Sequence, residues 1–238
     1  MKVSATNPGV RAIKRALFRD QFVAFTKAER FPCVGAKAAL NSGSYRIRVY
    51  QRLAAPQTST ALAKDLAVFT RSKLCRNEEY ASFVAIFETP LFLDEQKFEE
   101  LLWRQLQELN RIDARTNCWD PAVSSDPRER FFSFSFGGRA LYVVGMHGNS
   151  SRQARRFPWP TLVFNPHEQF QRLRSKGKWQ RLRDTIRSRD IALQGNLNPM
   201  LSDFGERSEA AQYSGRQTAS DWKPPFEASR PGRCPFAH

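Results

Sequence analysis

No uninterrupted apolar run in these 238 residues approaches the roughly 20 that a membrane-spanning helix needs. The opening residues, MKVSATNPGVRAIKRALF, carry no apolar signal-peptide core, so a cytoplasmic protein with no membrane partner is expected. Cysteine is scarce: Cys33, Cys75, Cys118 and Cys234 stand far apart with no CxxC pair. That spacing excludes a local zinc site and favours reduced thiols over a disulfide framework. No GxxxxGK[ST] or GxGxxG loop is present to cradle phosphates, and no GxSxG or HExxH motif supplies hydrolytic chemistry. Acids are also outnumbered, 23 against 38 Lys and Arg, for a formal charge of +15. A partner that is anionic, or that carries carboxylates or phosphates, is therefore expected.

What the chain has is aromatic and apolar material, with 19 Phe and 41% hydrophobic residues, enough for a sizeable core. Phe132, Phe134 and Phe136 alternate with Ser133 and Ser135, the period of a strand with one wet face. Gly137-Gly138 suits a tight turn, and Ala140 to Gly145 reads as the returning strand. Further strands are expected at 45–49, 81–87 and 161–164. A helix is expected at 10–28, with Ile13, Leu17, Ala24 and the neighbouring Phe residues inward. Pro32 and Gly35 then break the pattern at 31–37, and another helix is expected after a Thr58 or Ser59 cap. Others should follow Asp94, at 168–175 and at 178–189, with Gly177 breaking the last two apart. Residues 111–130 read as a long loop, and everything after Ile191 as an irregular wrap. The fold expected over residues 1–238 is a single α+β domain. It has a mostly antiparallel sheet of four or five strands with helices packed on it.

The candidate site centres on residues 131–170. His147 and His167 sit just past strand ends, beside Arg152, Arg155 and Arg156. A single imidazole suffices to hold haem iron, aromatic walls suit the macrocycle, and arginines pair with propionates. The rival expectation is a nucleic-acid-binding protein without a cofactor, with Arg172 to Arg189 as a phosphate-facing helix. Cys33 with His147 would be a nucleophile–base pair only if the fold brought them together.

Three groups of residues carry a family resemblance. They are Phe31-Pro-Cys-Val-Gly-Ala-Lys37, Val144-Gly-Met-His147 with Ala154-Arg-Arg-Phe157, and Leu162-Val-Phe-Asn-Pro-His167. The pattern continues through Asn198-Pro-Met-Leu-Ser-Asp-Phe-Gly205, Gln212-Tyr-Ser-Gly215 and Cys234-Pro235-Phe236. On these the chain resembles the YqcI/YcgG family, which includes haem-dependent N-hydroxylases of guanidino compounds. It departs in the tail, where Trp222-Lys223 is followed by Pro224-Pro225-Phe226 and the Cys-Pro-Phe comes later. The resemblance implies a haem b monooxygenase that N-hydroxylates the guanidino group of arginine or a related compound. The oxidant would be O2 or H2O2 and the electron donor is open. It implies His147 as the axial ligand, with His167 and Cys234 as alternatives, and His147 and His167 as the catalytic pair. Arg152, Arg155, Arg156 and Phe157 would hold the cofactor, and Glu168, Asp203 and Glu206 would meet the cationic substrate. A homodimer and a non-catalytic haem carrier are also compatible with it.

Overall fold

The structure is a computed structural model that describes residues 8–229. Its frame is a five-stranded sheet in the order β1-β2-β5-β4-β3. The strands are β1 (Tyr45–Arg52), β2 (Ser82–Thr89), β3 (Phe134–Phe136), β4 (Arg139–Met146) and β5 (Thr161–Pro166). Only β1 and β2 run parallel, and every other pairing is antiparallel. A parallel pair needs a crossover, which α3 (Pro56–Arg71) and α4 (Lys73–Asn77) supply. β3 and β4 form the expected hairpin, Phe136 opposite Arg139. Gly137 and Gly138 close it at φ of 63° and 69°, left-handed values that a two-residue type I′ turn requires at both positions.

The two faces of the sheet do different jobs. On one, Phe83, Ala85 and Phe87 of β2 join Leu141 and Val143 of β4 and Leu162 and Phe164 of β5. They pack on Leu62, Leu66 and Phe69 of α3 and on α5 (Glu95–Asp113). Asp94 caps α5, accepting from the Lys97 amide at 2.7 Å, and Phe98, Leu102, Leu106 and Leu109 line its inward stripe. Each such fully buried side chain contributes about 1.5–3 kcal/mol, so this face holds the main core. The other face carries Val84, Val144, Met146 and Val163. It is covered by α1 (Pro8–Lys27), α2 (Val34–Asn41), α6 (His167–Ser175) and α7 (Trp179–Gln194). That cover does not close fully, and the gap is the candidate site.

Several expectations need correction. In α1 Phe18 and Phe22 face inward as expected of its Phe residues, but Ile13 and Leu17 are exposed and so is Ala24. Only the second half of the helix reaches the sheet. Pro56 starts α3 at its first turn, with Ala55 as the cap, so Thr58 and Ser59 lie inside the helix and are buried. The residues at 31–37, read as a break, open α2 with Cys33 as its N-cap. Ser133 and Ser135 are buried, not wet. The loop after α5 folds over them, and the Ser135 hydroxyl accepts from the Asp120 amide at 2.9 Å. Cys33 and Cys75 are free thiols as expected, but Cys118 is disulfide-bonded. Cys234 lies outside the described residues.

The segment after α7 wraps irregularly, with one short helix, α8 (Ala210–Tyr213). Ala210, Tyr213 and Phe226 from this wrap enter the main core. Among the described residues no helix is long and apolar enough to cross a membrane.

Candidate functional site

A cavity of about 330 Å³ lies between the second face of the sheet and its helical cover, at the lower end of small-molecule pockets. Its floor is built by strand alternation: Val84 of β2, Tyr142, Val144 and Met146 of β4, and Val163 and Asn165 of β5. The wall comes from Phe22 of α1, Ala36 and Leu40 of α2, and Leu182 and Ile186 of α7. Residues 198–204 and Glu209 close the remaining side. Apolar walls with a few polar groups between them are what a ligand site needs.

His167 enters the cavity because β5 passes directly into α6, with Pro166 the last strand residue and His167 the first helical one. Its ring is 3% exposed and packs edge-on against Phe204 at 4.3 Å between centroids. Neither ring nitrogen makes a hydrogen bond to any described residue. Burial, with the Arg174 charge adding to it, pushes its pKa down to about 4. At neutral pH it is therefore an uncharged imidazole with a free lone pair, the form that binds a metal.

His147 has a different setting. Met146 faces the cavity, and His147, the next residue, turns the other way and stacks on Phe98 of α5 at 4.4 Å. It is 2% exposed, and both of its ring nitrogens are buried without a hydrogen bond. Burial lowers its pKa, while Glu95 and the nearby Leu93 carbonyl oppose that shift. His147 does not line the cavity, and neither Cys33 nor His167 shares its side of the sheet.

Two of the three expected propionate-pairing arginines reach the cavity. Arg152 is already committed there: it forms a buried ion pair with Asp190 of α7 and donates to the Asn196 side chain at 2.6 Å. Arg155 donates to the Tyr213 carbonyl at 2.9 Å and the Gly145 carbonyl at 3.3 Å, with no carboxylate partner among the described residues. Arg156 is exposed and donates to the Ser150 carbonyl. Phe157 is buried behind the cavity, against Phe22 and Phe25.

The three expected substrate carboxylates are scattered. Glu168 lies outside the cavity, paired with Arg139 at 2.5 Å and Arg172 at 3.6 Å. Glu206 is exposed and accepts from the Asp203 amide. Asp203 does line the cavity, but Arg183 and Arg187 of α7 both pair with it.

Three lining groups were not assigned to the site from sequence. The Cys33 thiol accepts from the Ala36 amide at 3.4 Å, and burial pushes its pKa up against the pull of the α2 amides. Glu209 is 4% exposed, accepts from the Tyr213 hydroxyl at 2.6 Å, and is pushed by burial up to about 7. The Ser133 hydroxyl lies close enough to favour its ionised form without making a hydrogen bond. Arg174, in the last turn of α6, lies over the Trp179 ring at 4.6 Å and has no ion pair. The i, i+4 spacing of Glu209 and Tyr213 was the available sequence signal for the first pair. Arg174 had none, being one of many basic residues in its stretch.

Among the described residues no group of three or more His, Cys, Asp or Glu side chains could hold a metal ion by itself. A family model described as the YqcI/YcgG family matches residues 21–227. The chain is also similar to "Uncharacterized protein YqcI" of Bacillus subtilis (strain 168), 27% identical over 222 residues, covering 88% of this chain and 82% of that one. No solved structure matches the chain. A match that runs from α1 through the C-terminal wrap includes every element lining the cavity: the chain belongs to the YqcI/YcgG family.

Proposed function

We propose that this cavity binds haem b and that the protein is a haem-dependent oxygenase that N-hydroxylates a guanidino group of arginine or a related compound. One observation carries the reading. His167 is buried, uncharged at neutral pH, without a hydrogen bond, and set in an apolar cavity that also contains unpaired arginine charge. No hydrogen bond would have to be broken for its lone pair to meet an iron in this cavity. This moves the ligand assignment from His147 to His167. Arg155 is the cation available for a propionate, and Arg152 adds charge while it holds α7 in place.

Bound haem would supply the iron at which the oxidant is activated. The net change is insertion of one oxygen atom into an N–H bond. With O2 the second oxygen leaves as water and a donor supplies two electrons and two protons. With H2O2 the by-product is water and no donor is needed. The chain's own residues exclude bulk water, through Leu182 and Ile186, and hold the imidazole uncharged. Glu209, with its pKa near neutrality and the Tyr213 hydroxyl on one oxygen, is a group that can hold or release a proton within the same cavity.

The rival reading, a basic helix facing nucleic acid, loses part of its charge to internal pairs. Arg183 and Arg187 turn to Asp203, and Arg172 donates to the Glu78 carbonyl. The test is to reconstitute the protein with haem and record its absorption spectrum. Arginine and free guanidine are then supplied with O2 plus a reductant, or with H2O2. Gain of one oxygen atom by mass spectrometry supports the proposal. A Soret band without turnover leaves a haem carrier, and no Soret band removes the haem reading.

A further inference from the structure

The cavity contains more charge than its apolar walls suggest, and most of that charge is already paired. Arg152 is matched by Asp190, and Arg183 and Arg187 by Asp203. Apart from Arg155, whose guanidinium is taken up by the Gly145 and Tyr213 carbonyls, two groups of opposite sign remain. Arg174 makes no ion pair among the described residues and leans on Trp179; the Asp203 carboxylate within its electrostatic reach is already held by Arg183 and Arg187. Among the described residues Glu209 has no cationic partner, and only the Tyr213 hydroxyl donates to its carboxylate. Each lies within electrostatic reach of the other, yet no ion pair joins them. Two opposite charges facing one cavity without meeting leave each unmatched at low dielectric, where an unpaired charge is costly.

We propose that Arg174 and Glu209 are the two poles of a ligand subsite. It takes a small molecule with a carboxylate at one end, received by Arg174, and a protonated nitrogen group at the other, received by Glu209. The assignment rests on reading the cavity as a substrate site, but it does not need haem to be bound there. It replaces Glu168, Asp203 and Glu206, which are paired elsewhere or lie outside. A planar guanidinium with a free fork is suited to a carboxylate. A carboxylate that accepts only one hydroxyl keeps acceptor sites for a cationic donor.

The experiment is calorimetric binding of three probes to the unmodified protein: L-arginine, its neutral urea isostere L-citrulline, and agmatine, which lacks the carboxylate. Arginine should bind at least about tenfold tighter than either, a loss of one charge-assisted pair being worth about 1.5–3 kcal/mol. In Glu209→Gln, which keeps an acceptor for Tyr213, the preference over citrulline should vanish while that over agmatine remains. In Arg174→Gln the reverse should hold. Equal binding of all three probes to the unmodified protein overturns the proposal, as does failure of all three to bind, and neither result depends on a variant that folds. Haem uptake impaired in Arg174→Gln with unchanged probe preferences also overturns it, since Arg174 would then serve the cofactor. A protein that discriminates the probes but never takes up haem removes the haem proposal alone. One that takes up haem without discriminating removes this one alone.

Discussion

His147 and His167 lie on opposite sides of the sheet, the first stacked on Phe98 of α5 and the second against Phe204 in the cavity. Both are uncharged at neutral pH because burial disfavours the imidazolium. Only His167 has its lone pair free toward a space that a ligand can enter. The expected outcome is that His167→Ala abolishes the Soret band of haem-reconstituted protein, while His147→Leu retains it. His147→Leu should also be no less stable in urea than the original, because it removes a ring whose two buried nitrogens have no partner. Retention of the band in His167→Ala with loss in His147→Leu would return the ligand to His147.

The Arg152–Asp190 pair ties the loop after β4 to α7, and thereby fixes one wall of the cavity. Both side chains are nearly sealed from water, 8% and 12% exposed. Asp190→Ala would leave a guanidinium buried with only the Asn196 contacts, and should cost about 3–5 kcal/mol. The double variant Arg152→Met, Asp190→Leu removes both charges and should recover most of that loss. Urea unfolding of the two singles and the double gives the coupling directly. Additive losses would show that the pair does not hold the wall.

Local signals made the fold largely legible. The strand at Phe134–Phe136, the Gly137-Gly138 turn, the Asp94 cap and the α5 stripe each depend on neighbours in sequence, and each is where the residues placed it, although the serine face of that strand is buried. The site was less so, for a physical reason. A β-strand sends consecutive residues to opposite faces, so the step from Met146 to His147 decides which histidine sees the cavity, and nothing local marks which face is the closed one. Charge had the same limit. Asp203 looked as available as Glu206 until α7 folded Arg183 and Arg187 onto it. The helix at α2 was missed because Pro32 and Gly35 read as breakers, whereas Pro32 precedes the Cys33 cap and Gly35 sits in the first turn.

Gly145 measures how closely α5 and the C-terminal wrap approach the sheet. A Cβ there would lie 2.7 Å from Leu102 Cδ1, 2.7 Å from Phe98 Cε1 and 2.9 Å from the Tyr213 carbonyl. The first two could shift, but the third is backbone, and Arg155 also donates to it. Gly145→Ala should therefore destabilise by about 1–3 kcal/mol through overpacking. Thermal or urea melts will show it, and an unchanged midpoint would mean the wrap can move away from β4 freely.

Two cavity groups should give opposite pH dependences that partly hide each other. His167 has its pKa lowered from 6.5 to about 4, so the unfolded chain binds its proton first. Its contribution is complete above about pH 6.5 and is lost as pH falls through 4. Glu209 has its pKa raised from 4.5 to about 7, so the folded state keeps the proton longer. Its contribution is complete below about pH 4.5 and is lost as pH rises through 7. Each window spans a difference on the order of 3 kcal/mol. Asp113, raised from 3.8 to about 6, adds to the Glu209 direction, and His147 adds to that of His167. Between pH 4.5 and 6.5 the slopes oppose, and the unmodified protein should show only a shallow dependence. Glu209→Gln should uncover stability that rises with pH over that interval, and His167→Gln stability that falls with it. Urea titrations at half-unit pH steps separate the two, and identical slopes in both variants would mean that neither group titrates in the folded cavity as assigned.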